Sequence, residues 1–277
     1  MSTDIPTSTV LFAFGLTIFA GLSTGIGSAL AFFAKKTNTK FLAISLGFSA
    51  GVMIYVSMIE IFVKARDALT VAVGPTLGYW YTTLAFFGGI AVIGLIDKFV
   101  PSFENPHEYR KIEEMGPSSG AGVDKGKSSL YRMGMFSALA IGIHNFPEGL
   151  ATFTSALQDP TLGVSIAVAI AIHNIPEGIA VSVPLYYATG SRKKAFGYSF
   201  LSGVSEPVGA LVGYLIFMRY FNDMVFGLLF ASVAGIMVFI SLDGLLPTAE
   251  KYGEHHHAIL GVIAGMGVMA VSLLLFA

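Results

Sequence analysis

Apolar residues in this chain come in long blocks, and polar residues gather in the short gaps between them. Eight blocks are long enough, at about twenty residues or more, to cross the hydrocarbon core of a bilayer as α-helices. They run over 8–34, 41–63, 77–97, 133–156, 161–188, 195–218, 223–247 and 258–277. The pattern predicts an all-α, polytopic membrane bundle of eight transmembrane helices, a single domain over 1–277. The first block has no basic leader and follows Asp4, so it reads as a retained helix rather than a cleaved signal. One stretch, 98–132, breaks the pattern with Pro101, Pro106, Pro117, the run Ser118-Ser119-Gly120 and eleven charged residues. It reads as a mobile cytoplasmic loop. Pro160 and Gly190 mark short turns, which makes spans four, five and six consecutive antiparallel neighbours.

Composition agrees with a membrane class. The 277 residues are 54% hydrophobic and only 12% charged, about half the charge of a soluble domain. A net charge of −1 gives no footing for nucleic acid, and the absence of cysteine excludes disulfides and thiolate metal ligands. The 32 glycines, clustered at Gly21, Gly25 and Gly27 and at Gly88, Gly89 and Gly94, predict close helix packing. With the N-terminus outside, thirteen of the sixteen Lys and Arg residues fall on the inner side and only Lys64, Arg66 and Arg219 on the outer. That asymmetry predicts both termini outside and supports the count of eight.

The chemistry sits where oil is expected. The hexapeptide His-Asn-x-Pro-Glu-Gly occurs twice, as His144 to Gly149 and as His173 to Gly178. These copies fall near the midpoints of spans four and five, and Glu206 falls near the midpoint of span six. Three ionised glutamates at that depth would cost on the order of 8–10 kcal/mol, which a bound cation offsets most directly. His144 and Glu148 are four apart and Asn145 and Glu148 three apart, so each copy presents imidazole, carboxamide and carboxylate from one helix face. His173, Asn174 and Glu177 repeat the spacing. Facing each other, the two patches and Glu206 would give nitrogen and oxygen ligands without sulfur, which suits borderline divalent ions such as zinc, iron, cobalt or manganese. Seven side chains exceed the needs of one tetrahedral ion, so two adjacent ions are an option. Pro147 and Pro176 are expected to kink their helices, and the glycines after them to open space for an ion path. A polar network that merely ties helices together is the competing reading, and the matched duplication argues against it.

Other polar residues are weaker candidates. Glu60 lies near the outer end of span two, beyond Met53 and Ser57, where it would either gather ions at an outer mouth or sit in the headgroup region. Asp243 lies near the inner end of span seven, where an inner exit and a structural place are equal alternatives. His255, His256 and His257 open the last span beside Glu250 and Glu254 and read as a solvated cluster. Asp97 reads as an interface residue, and His107 as part of the solvated loop.

The paired hexapeptides, within eight spans and with a cytoplasmic loop after the third, resemble the ZIP family of divalent metal transporters in its bacterial branch. Gly47 to Met53, Ser202 to Pro207 and Ser241 to Asp243 are also similar to segments of that family. The resemblance covers nearly the whole chain. It implies a multi-pass protein of the bacterial inner (plasma) membrane that is not an enzyme. It implies uptake of zinc, and of iron, manganese, cobalt or cadmium, into the cytoplasm, with no resident cofactor. It implies a metal site, which in the family can be binuclear, built from His144, Asn145, Glu148, His173, Asn174, Glu177 and Glu206; Met53, Glu60 and Asp243 are separate candidates for the pathway, read from their places in spans two and seven. Its partners would be divalent metal ions, the lipid bilayer and a second copy in a homodimer. In two places the chain departs from its relatives: Gly244 stands where many have glutamate, and the loop holds one histidine where many are histidine-rich.

Two other classes compete. An intramembrane metal-dependent hydrolase would need His-Glu-x-x-His, which is absent. A metal-sensing receptor would bind without net flux, and no signalling segment is evident in the chain.

Overall fold

The computed structural model describes residues 5–31, 39–99, 142–143, 145–217, 220, 222–252 and 255–276. The loop expected over 98–132, apart from its first two residues, lies outside them, as do His107, the first part of span four and His144. Among the described residues nearly all are helical and none is in a strand.

Local sequence explains where the helices start and stop. Helix α1 covers Thr7–Ala31, and α2 covers Thr39–Val56. A π-helical turn over Ser57–Ile61 carries α2 without interruption into α3, Phe62–Val73. Gly74 ends α3 at a φ of 85°, and Pro75 starts α4, Pro75–Phe99. Pro fits there because the first helical N–H has no intrahelical partner to lose. Helix α5 covers 145–158. The Asp159 carboxylate caps α6, Pro160–Thr189, by accepting from the Thr161 N–H at 2.7 Å. Gly190, left-handed at φ 63°, closes α6, and α7 follows over Arg192–Phe217. Helix α8, Asp223–Ile240, is capped by Asn222. It passes through a second π-helical turn, Ser241–Leu245, into α9, Leu246–Tyr252. Helix α10 covers His255–Phe276.

Seven helical stretches among the described residues are long and apolar enough to cross a membrane, and α5 is the described part of the expected fourth span. Their burial is inverted relative to a water-soluble bundle. Leu11, Trp80, Leu84, Phe87 and Leu275 face outward, while Ser28, Ser49, Thr152, Asn174 and Glu206 are buried. Lipid rather than water is the solvent for which such a surface is stable.

Span two departs from its expected end at residue 63. The helix continues for about ten more residues because Ala65 and Leu69 bury against α8, where Gly227 admits them. Lys64, Arg66 and Asp67 take the other side of that extension, with an Arg66–Asp67 contact of 2.7 Å. The charges that read as the end of a span therefore decorate the exposed side of an amphipathic extension.

Helix pairing forms two groups, which α2 joins by packing on α6. Helix α1 packs on α6 and α7, while α2 packs on α10 and α8 packs on α3 and α4. Pairing in the second group is backbone on backbone. A Cβ at Gly51 would stand 2.1 Å from the Val262 carbonyl oxygen, and one at Gly265 would stand 2.1 Å from that of Phe48. Gly235 and Gly89 join α8 to α4 in the same way, at 2.0 Å from the carbonyl oxygens of Phe86 and Ser232. Without a hydrophobic force between helices in lipid, such approach supplies the packing energy. Gly51→Ala should therefore lower stability by about 1–3 kcal/mol in detergent unfolding, whereas Gly88→Ala, with nothing within 4 Å of its Cβ, should be close to neutral. Equal stability of the two variants would contradict the packing described.

Candidate metal centre

Helices α5, α6 and α7 bring their polar residues to one buried place, together with α1 and α2. Asn145, Glu148, His173, Asn174 and Glu206 are 0% exposed and Glu177 is 1% exposed. The two hexapeptides meet directly: His173 Nε2 stands 3.0 Å from Glu148 Oε1. The other ring nitrogen, Nδ1, lies 3.1 Å from the Ala169 carbonyl oxygen. A carbonyl can only accept, so Nδ1 carries a proton and Nε2 is the nitrogen turned toward the second helix. Helix α7 joins through a hydrogen bond from Asn174 Nδ2 to Glu206 Oε1. The same amide donates to the Ala20 carbonyl of α1 at 3.0 Å, and Asn145 donates to the Ser202 carbonyl of α7 at 3.4 Å. Helix α2 reaches the group through Ser49, whose hydroxyl is 3.5 Å from Glu177 Oε1.

Three oxygens in this cluster stand out. Asn145 Oδ1, Asn174 Oδ1 and Glu206 Oε2 are buried and have no hydrogen-bond partner among the described residues. An unsatisfied buried acceptor costs about 1–3 kcal/mol, more when charged. Acceptors lacking donors are the groups a cation would satisfy. Among the described residues no three His, Asp or Glu side chains are already gathered as a closed metal shell. What is gathered is a hydrogen-bonded arrangement in which a donor proton or a carboxamide stands between ligand atoms. The 3.0 Å separation of His173 Nε2 and Glu148 Oε1 is close to the roughly 3.3 Å that two ligand atoms adopt about a tetrahedral zinc.

Gly149 and Gly178 do not open space as expected from the sequence. Each closes it. A Cβ at Gly149 would lie 1.9 Å from the carbonyl oxygen of Glu206, and one at Gly178 would lie 2.0 Å from that of Thr24. The glycines let α5 touch α7 and α6 touch α1, which sets Glu148 and Glu177, the residues just before them, against neighbouring backbone. Helix α6 runs unbroken through Pro176, and Pro207 lies inside α7.

The pathway candidates take separate positions. Met53 is buried one turn along α2 from Ser49, within the main apolar cluster. Glu60 lies in the first π-helical turn, eleven residues and about 16 Å of helix beyond Ser49, with Lys64 Nζ 3.9 Å from its carboxylate. Asp243 lies exposed in the second π-helical turn. His255 Nδ1 meets Glu250 Oε1 at 2.6 Å on the exposed α9–α10 junction. Nothing is described of the side chain of Asp97. Two contributors were missed from the sequence, Ser49 and the backbone of α1 at Ala20. A serine inside a glycine-rich apolar segment was the available signal for the first; a carbonyl acceptor leaves none.

A multi-pass helical bundle that keeps carboxylates, carboxamides and an imidazole buried in its interior is a cation-handling membrane protein. The chain matches the family model described as ZIP Zinc transporter over residues 98–273. It is 66% identical over 270 residues to a zinc transporter ZupT of Nitratidesulfovibrio vulgaris, covering 96% of this chain and 98% of that protein. A zinc transporter ZupT of Chlorobaculum parvum is 66% identical over 267 residues, with the same coverage of the two chains. One of Clostridium perfringens is 63% identical over 275 residues, covering 96% of each. The chain belongs to the ZIP family.

The contact between hexapeptides can be tested without metal. A double-mutant cycle of Glu148→Gln and His173→Gln, read by unfolding in detergent, should give a coupling of about 1–3 kcal/mol. Strictly additive effects would contradict the contact.

Proposed function

We propose that the protein is a multi-pass carrier of the bacterial inner membrane that imports divalent transition-metal ions, zinc among them. The cargo would pass through a centre made by His144, Asn145 and Glu148 of span four, His173, Asn174 and Glu177 of α6, and Glu206 of α7. The observation that carries this reading is the set of buried acceptor oxygens on Asn145, Asn174 and Glu206, gathered beside the His173–Glu148 pair. Membership of a zinc-transporter family supports the cargo class and makes the protein a transporter rather than an enzyme. No resident cofactor is needed, since the metal is substrate.

The ligand chemistry sets the ion class. One neutral imidazole with Nε2 outward, joined by carboxylates and amide oxygens, favours zinc-like ions over magnesium and calcium, which prefer all-oxygen shells. Iron(II), manganese(II), cobalt(II) and cadmium(II) fall within the same range. The Nδ1–H donation to Ala169 orients the ring and raises the basicity of Nε2 toward metal. The ligand surplus supports two ions, whose charge of +4 would meet −3 from the three glutamates. Met53, beside Ser49 on α2, would line the way in, with Glu60 toward the outer face and Asp243 toward the inner. Lipid surrounds the bundle, and a homodimer is the assembly the family resemblance favours.

In proteoliposomes, Glu148→Ala and His173→Ala should each abolish zinc accumulation while the protein still elutes as a folded species. Accumulation at the unsubstituted rate would overturn the reading. Binding should also release protons, because the metal replaces the one held between His173 Nε2 and Glu148 Oε1. Calorimetry in buffers of different ionisation enthalpy should show about one proton per ion, lost with His173→Ala; a buffer-independent heat would contradict the exchange.

A further inference from the structure

The close contacts of this molecule repeat with the two ends of the chain exchanged. On α1, Gly21 and Gly27 stand six residues apart, as do Gly203 and Gly209 on α7. A Cβ at Gly27 would lie 1.9 Å from the carbonyl oxygen of Ile175, third residue of the second hexapeptide. One at Gly209 would lie 2.2 Å from that of Phe146, third residue of the first. Gly178 meets the Thr24 carbonyl as Gly149 meets that of Glu206, and Gly21 and Gly203 face each other. The carboxamides follow the same relation. Asn174 donates to Ala20 and Asn145 to Ser202, the residues just before Gly21 and Gly203.

The second helix group obeys it too. Gly51 and Gly265 join α2 to α10 as Gly235 and Gly89 join α8 to α4. Each π-helical turn begins six residues after its glycine, Ser57 after Gly51 and Ser241 after Gly235. Span six is the fifth span after span one, so the two run in opposite directions. The relation is an inverted repeat of α1–α4 and α7–α10, with the two hexapeptide helices exchanged about the axis. Transporters place their sites at the interface of such repeats.

Position 24 then corresponds to position 206, each three residues beyond its glycine. One helix carries a threonine there, the other a glutamate. Thr24 is fully buried, and its hydroxyl has no hydrogen-bond partner among the described residues. Helical threonines commonly return the hydroxyl to the preceding turn, as Thr17 does to Ala13 at 2.9 Å. Thr24 does not, and a Cβ at Gly203 would meet that hydroxyl oxygen at 3.1 Å. We propose that Thr24 belongs to the ion-binding centre as the α1 counterpart of Glu206, a neutral oxygen where the repeat-related helix supplies a carboxylate. This inference rests on the centre proposed above. A fourth carboxylate would balance two divalent ions and retain them; a hydroxyl coordinates weakly and exchanges.

The test uses zinc uptake by the full-length chain in proteoliposomes, with zinc affinity of the purified protein as a second readout. Glu206→Thr should lose uptake. If it transports like the unsubstituted protein, the centre itself is misread, and the inference falls with it. The exchange variant, Thr24→Glu with Glu206→Thr, should recover uptake to about tenfold or more above Glu206→Thr alone; a folded exchange variant with no recovery overturns the role of Thr24. Should the exchanged protein fail to fold, Thr24→Val decides. It keeps the shape and removes the oxygen, so the zinc KM should rise several-fold, and Thr24→Ser should bring it back. An unchanged KM in Thr24→Val overturns the inference.

Discussion

The centre depends on helices touching backbone to backbone. Gly149 of α5 lies on the carbonyl of Glu206, and Gly178 of α6 lies on the carbonyl of Thr24. Each glycine directly follows a hexapeptide glutamate, so the contact that holds the helix also places the carboxylate. In a bilayer this is the packing available, because lipid chains compete with apolar side chains for the same surfaces. A methyl group at either glycine would push a helix away, and the Glu148 or Glu177 carboxylate with it.

Close packing also governs the electrostatics. Six titratable or amide side chains of the centre are buried almost completely, in surroundings of low dielectric. Uncompensated charge is costly there, and the hydrogen bonds found are those that reduce it. His173 meets Glu148, Asn174 meets Glu206, and Ser49 approaches Glu177. The compensation leaves amide and carboxylate oxygens without donors. A site held partly satisfied is one that a cation can enter by displacing weak partners rather than by prising open a finished network. The same logic explains why the centre draws on both helix groups: Ser49 is on α2, while the other contributors are on α1, α5, α6 and α7.

Much of this was legible in the sequence. Block length gave the spans, and helical spacing turned His173, Asn174 and Glu177 into one patch. Counting along span six brought Glu206 to the same depth, where the structure finds it against Asn174. Three features were not legible, for physical reasons. The hexapeptide glycines looked like room because a missing side chain has the same letter whether it admits water or a neighbouring backbone. The extension of span two beyond residue 63 was hidden because Lys64, Arg66 and Asp67 lower local hydropathy while Ala65 and Leu69 still bury. The share of α1 was invisible because it enters through the Ala20 carbonyl and Thr24, and a backbone carbonyl leaves no letter while one threonine among the several of α1 does not stand out. Its trace was the six-residue glycine spacing shared with α7, which gains meaning only when the contacts of both helices are compared.

The central claim is that two hexapeptides from adjacent helices form one ion centre together with α7. X-ray absorption at the zinc edge of the loaded, purified protein tests it most directly. The account predicts a shell of nitrogen and oxygen only, at about 2.0–2.2 Å, with an imidazole contribution that falls in His173→Ala and a changed shell in Glu206→Gln. Zinc held in an imidazole-free shell, or a shell identical in all three proteins, would contradict it.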